Sequence, residues 1–163
     1  MISVCVPATS ANCCVGFDCL GMAVDWWAHF TFEESDTLIV EGCPDEFKGK
    51  NNLVVQAFYT TCDYLHLDYP TFKLTIDTDV PFARGLGSSS TCVVAGILAC
   101  DAWFKKGMDK MEVLKIATSI EGHPDNVAQD FWSGYSLFYG KRRCKNESCS
   151  MCKLSLFGRC TSL

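Results

Sequence analysis

Two stretches of this 163-residue chain gather side chains that could do chemistry. The first, residues 81–91, reads PFARGLGSSST. Gly85 and Gly87 can adopt positive φ and carry no Cβ that would hold a ligand away from the backbone. Ser88, Ser89 and Ser90 bring hydroxyls. A helix beginning among them would leave its first N–H groups unpaired, at the positive end of its dipole. A phosphate or another anion suits such a place. The plainer alternative is an ordinary serine N-cap after a glycine turn. The loop has neither the lysine of a Walker A motif nor the Gly-x-Gly-x-x-Gly spacing of protein kinases and dinucleotide folds.

The second stretch holds Glu121, His123, Asp125 and Asn126, interrupted by Gly122 and Pro124. A carboxylate able to hold Mg²⁺ beside a phosphate-binding loop is what phosphoryl transfer requires. His123 and Asn126 could hydrogen-bond a polar substrate, and the imidazole could take part in acid–base work. Alone, the cluster also reads as a polar turn between helices. As a transition-metal motif it is poor, because no second histidine follows at helical spacing.

The elements that must position these groups follow from periodicity. Phe72, Leu74 and Ile76 alternate with polar residues, so residues 71–76 form a strand leading into the glycine-rich loop. An apolar run follows the serines, so residues 88–106 form a buried helix that Gly107 closes. Asp109 caps a further helix over 110–120, and Pro124 can start another short one. Upstream, residues 2–6 read as a strand ending at Pro7, and 8–18 as a loop of small and polar residues. Residues 20–32 and 37–41 read as strands, and the turn chemistry of 33–36 pairs them as a hairpin. A polar loop covers 42–50. Leu53, Val54, Ala57, Phe58 and Leu65 recur at helical steps, so 52–67 is an amphipathic helix with Asn51 or Asn52 as its cap. Residues 135–139 form a last strand.

Composition sets the outer limits. Apolar residues make up 48% and charged residues 20%, the balance of a soluble domain with a real core. The formal charge of −5 gives no general attraction to nucleic acid or to an anionic membrane surface. No apolar run is long enough to span a bilayer, and the first residues lack the pattern of a signal peptide, so a reducing cytoplasm is expected. The twelve cysteines are then mostly buried free thiols. Cys144, Cys149, Cys152 and Cys160 crowd the last residues, but their spacing fits no standard zinc pattern. Residues 1–140 are expected to form one domain. Residues 141–163, opening with Lys141-Arg142-Arg143, are expected to be a cysteine-rich, poorly ordered tail.

VPATSAN at residues 6–12, GFDCLGMAV at 16–24, PFARGLGSSST at 81–91 and EGHPDNVA at 121–128 together resemble the homoserine kinases, a branch of the GHMP kinase superfamily. Order and spacing match from residue 4 to roughly residue 134. The resemblance implies an α+β fold: a domain similar to ribosomal protein S5 domain 2, with a left-handed βαβ unit, followed in the family by a ferredoxin-like domain. Nothing resembling that second domain follows here, so the chain reads as a truncated form. The resemblance implies that Pro81, Arg84, Gly85, Leu86, Gly87, Ser88, Ser89, Ser90 and Thr91 wrap the phosphates of ATP. Ser88 or Ser89, with Glu121, would hold Mg²⁺. Asn12, Asp18, His123 and Asn126 would line the pocket for L-homoserine, and Asn126 and Glu121 would serve catalysis. Cys13-Cys14-Val15 stands where the family has Leu-Gly-Pro, so the turn carrying Asn12 has its own shape. A homodimer is a candidate assembly. The alternatives are an inactive nucleotide-binding fragment and a GHMP kinase acting on another small molecule.

Overall fold

The computed structural model describes residues 1–10, 20–81, 84–122, 136–139 and 154–156, with backbone alone for 20–21, 136–139 and 154–156. The strands are β1 (Ile2–Ser10), β2 (Leu20–Glu34), β3 (Ile39–Glu41), β4 (Phe72–Thr78), β5 (Ser136–Tyr139) and β6 (Leu154–Leu156). The helices are α1 (Leu53–Tyr64), α2 (Ser88–Phe104) and α3 (Lys110–Glu121), with two short 3₁₀ turns ahead of α1. One mixed sheet runs in the order β3-β4-β2-β1-β5, and β6 pairs with the start of β2. Helices and sheet form two layers around one core.

Alternation decides which face of the sheet is covered. Phe72, Leu74 and Ile76 of β4 are buried while Lys73 and Thr75 are half-buried, and Ala28, Phe30 and Phe32 of β2 are buried in the same rhythm. They pack with Phe58 of α1 and with Val93 and Ile97 of α2. The rings of Phe32, Phe58 and Phe72 lie within 4.7–6.0 Å of one another, the tilted arrangement aromatic quadrupoles favour. Helix α2 is apolar on nearly every side because it lies between the sheet and the other two helices. Gly96 lets α1 come close: a Cβ there would stand 2.4 Å from the Val54 carbonyl oxygen.

The caps act as the sequence suggests. Asn52 Oδ1 accepts from Val54 N–H at 2.9 Å at the start of α1. Asp109 and Glu112 exchange side-chain to backbone bonds in a capping box at the start of α3, and Gly122 ends that helix at φ 80°.

Three local expectations need correction. The first concerns β2 and β3, which do not form a hairpin. β4 takes the edge of β2, antiparallel from Ala28 to Glu34, and β3 lies parallel to β4, so β3, α1 and β4 make the βαβ unit. Turn chemistry at 33–36 marks where a strand ends but not which strand comes next beside it.

Second, β1 does not stop at Pro7. Pro7 pairs with Trp27 and Ala8 with Val24, so Asp25 and Trp26 bulge out of β2 opposite the proline, the setting in which a strand tolerates a residue without an N–H. Third, α2 closes on Lys105, at φ 52°, rather than on Gly107. Its N–H and that of Lys106 both reach the Asp101 carbonyl, while Asp101 Oδ1 accepts from Met108 N–H at 2.9 Å. A strand over Leu154–Leu156, paired with Leu20–Met22, adds an element where no apolar pattern had suggested one.

Candidate functional site

The glycine-rich loop enters α2 with the geometry its residues allow. Gly85 sits at φ 71° and Gly87, the N-cap of α2, at φ 63°. At Gly87 a Cβ would fall 2.5 Å from Thr9 Oγ1 and 2.8 Å from Ser90 Oγ, so both conformation and space call for glycine. Thr9 N–H donates to the Leu86 carbonyl at 3.1 Å and ties the loop to the end of β1. Ser90 and Thr91 turn inward: their hydroxyls donate to the Gly87 and Ser88 carbonyls at 2.8 and 2.9 Å. Gly87 offers no side-chain cap, so the first N–H groups of α2 are not shielded by one. Ser88 is half-buried, and Ser89, Arg84 and Gly85 are exposed around this helix end.

Glu121, the last residue of α3, comes to the same place. Ser89 Oγ donates to Glu121 Oε1 at 2.6 Å. Of the two serines expected beside a metal, the one that touches the carboxylate is thus Ser89; both line a neighbouring cavity. Hydroxyl and carboxylate oxygens beside an anion-seeking helix end are the hard donors a Mg²⁺ ion takes. Pro81 leads into the loop and is half-buried. Asn12, Asp18, His123 and Asn126 lie outside the described residues.

Beside the loop opens a cavity of about 270 Å³. Ser88, Ser89 and Thr91 form its α2 side, Phe47, Asn52 and Gln56 lie across from them, and Phe30, Ile76 and Val80 contribute an apolar wall. Asn52 is held there twice, since Nδ2 donates to the Phe47 carbonyl at 3.1 Å while Oδ1 caps α1. An apolar slot with polar groups at its edge, opening toward a helix N-terminus, can take a flat aromatic ring with its anionic substituent on the helix. The sequence reading missed Phe47 and Gln56. Their segments appear in it as a polar loop and a helix, and nothing in the residue pattern links them to the glycine-rich loop.

Residues 52–134 match the GHMP kinases N terminal domain. The chain belongs to the GHMP kinase family. A homoserine kinase of Clostridium botulinum (strain Okra / Type B1) is 45% identical over 144 residues, covering 88% of this chain and 48% of the relative. Among solved structures, homoserine kinase from Cytophaga hutchinsonii superposes with a TM-score of 0.69 at 29% identity, over 83% of this chain and 47% of that one. The mevalonate kinase of Methanococcus jannaschii superposes with a TM-score of 0.67 at 20% identity, over 85% of this chain and 53% of that one, a likeness of fold alone. The chain spans about half the length of the curated relatives it matches. Within that span the expected α+β GHMP kinase N-terminal fold is present.

Proposed function

We propose that this chain carries the nucleotide half of a homoserine kinase site, which transfers the γ-phosphoryl group of ATP to the hydroxyl of L-homoserine and yields O-phospho-L-homoserine for threonine biosynthesis. The observation that carries the reading is the Ser89–Glu121 contact at the mouth of the glycine-rich loop, in a chain 45% identical to a homoserine kinase over 144 residues. Residues 81 and 84–91 would cradle the phosphates, with the N–H groups of the first turn of α2 directed at them. Ser88, Ser89 and Glu121 would hold Mg²⁺, which when bound neutralises charge on the phosphate oxygens. The cavity bounded by Phe47, Asn52 and Gln56 suits the adenine ring.

The acceptor side rests on the resemblance. Asp18 is suited to the ammonium of homoserine and His123 and Asn126 to its hydroxyl or carboxylate, with Asn12 lining the same pocket. Asn126 and Glu121 would serve the transfer by orientation and charge rather than by strong base catalysis, which a loose phosphoryl transition state permits. The domain would run from residue 1 to 140, with 141–163 as a tail outside the family pattern. A cytoplasmic setting belongs to the same reading, and among the described residues no helix is long and apolar enough to cross a membrane.

The test is incubation of the purified protein with Mg-ATP and L-homoserine, with ADP and O-phosphohomoserine as readouts. Mevalonate and galactose in parallel distinguish another small-molecule kinase of the family. A second reading is nucleotide binding without turnover. Tight ATP binding with no product from any acceptor would select it. Light scattering on the same sample tests for a homodimer.

A further inference from the structure

We propose that Thr9 is a positioning residue for the glycine-rich loop: its hydroxyl lies buried and unpaired against Gly87 and takes up a hydrogen bond when a phosphate seats on the N-terminus of α2. The inference rests on the nucleotide reading above. Thr9 is wholly buried, and its Oγ1 is the buried side-chain oxygen without a hydrogen-bond partner among the described residues. Its neighbours Ser90 and Thr91 are buried as deeply, yet each donates to a loop carbonyl. The backbone of Thr9 is also engaged with the loop, through its N–H on Leu86.

Position explains what such a hydroxyl can do. It lies where a Cβ at Gly87 would be 2.5 Å away, against the one residue whose left-handed conformation turns the chain into α2. Burying a hydroxyl without a partner lowers the stability of the state in which it is unpaired. Packing alone would be met as well by valine, which has the same shape and suits a strand. A group unpaired in one state and paired in another favours the second by the difference. Thr9 therefore biases the loop toward the arrangement that an anion completes.

The experiment compares wild type, Thr9→Val and Thr9→Ser by thermal unfolding without ligand and by calorimetric titration with Mg-ATP. Thr9→Val is expected to unfold about 2–4 °C higher than wild type when ligand-free. It is expected to bind ATP roughly fivefold to tenfold more weakly, and Thr9→Ser to keep wild-type affinity within about twofold. Stability and affinity moving in opposite directions is the signature, since a merely structural hydroxyl would lower both when removed. Equal ATP affinity of wild type and Thr9→Val overturns the inference and leaves the nucleotide reading standing. Loss of stability together with affinity in Thr9→Val also overturns it. A wild type that binds no ATP overturns the nucleotide reading itself, and the inference with it.

Discussion

Ser89 Oγ donates to Glu121 Oε1 across 2.6 Å, joining the first turn of α2 to the last residue of α3. Residues separated by the whole of two helices thus meet where the glycine-rich loop ends, because α3 packs back along α2. An exposed hydroxyl–carboxylate pair contributes little to folding, so its replacement separates function from stability.

Glu121→Gln keeps an acceptor for Ser89 and removes the charge. If the pair holds Mg²⁺, the strengthening of ATP binding by Mg²⁺ is expected to fall roughly a hundredfold. The free energy of unfolding should stay within about 0.5 kcal/mol of wild type. Titrations with and without Mg²⁺ check this; an unchanged Mg²⁺ dependence would assign the metal elsewhere.

Gly87→Ala places a methyl 2.5 Å from Thr9 Oγ1 at a φ of 63°. Both strain and overlap act, so a loss of about 1–3 kcal/mol in stability is expected, with weaker nucleotide binding. Gly49→Ala is a useful control: its φ is 78° but its Cβ meets nothing within 4 Å, so it isolates the conformational part. Urea unfolding of the two variants measures the difference.

Gly96→Val tests the helix layer rather than the site. Its Cβ would stand 2.4 Å from the Val54 carbonyl oxygen and 2.8 Å from Ala57 Cβ, forcing α1 away from α2. A destabilisation of about 3 kcal/mol or more is expected. Phe58→Ala, which empties the centre of the aromatic cluster, should cost about 3–5 kcal/mol. Equilibrium unfolding compares both with wild type.

Tyr59 gives the fold a pH dependence on the alkaline side. Burial, and then the nearby Cys62 thiol, hold its phenol above the ordinary tyrosine value, and its hydroxyl donates to the Pro70 carbonyl at 3.0 Å. Tyr69, stacked on it, is also raised, chiefly by its hydrogen bond to Asp63. A phenol raised in the folded state ionises first in the unfolded chain. Its contribution is therefore full below the unfolded pKa of about 10 and is lost as pH climbs through the folded value. Tyr59→Phe should lower stability by about 1 kcal/mol near neutrality and flatten the decline between about pH 9 and 11. Melting curves across that range provide the check.

Local chemistry was legible in the sequence, and pairing was not. The alternation of Phe72, Leu74 and Ile76, the cap at Asn52 and the capping residue Asp109 all depend on neighbours a few positions away, and each is found as read. The partner of β3, the passage of β1 through Pro7 and the seat of Phe47 across from α2 depend on residues distant in the chain, which periodicity does not encode. Ser88 and Ser89 show the same boundary on a finer scale. Composition marks both as site residues and both line the cavity, but a helical step of about 100° leaves Ser89, of the two, as the one bonded to Glu121.

The sheet's far pairings also set an order of assembly. β1 with β2, β2 with β4 and β3 with β4 can form once the first half of the chain is available, and α1 and α2 can cover them. β5 returns to Ile2–Cys5 and β6 to Leu20–Met22 from more than a hundred residues away, so these pairings wait until residues 136–139 and 154–156 are made. Closing such long loops is slow relative to local pairing. During synthesis the ribosome would release a layered core first, and the open edge of β1 is the place where a chaperone or a second nascent chain could intervene.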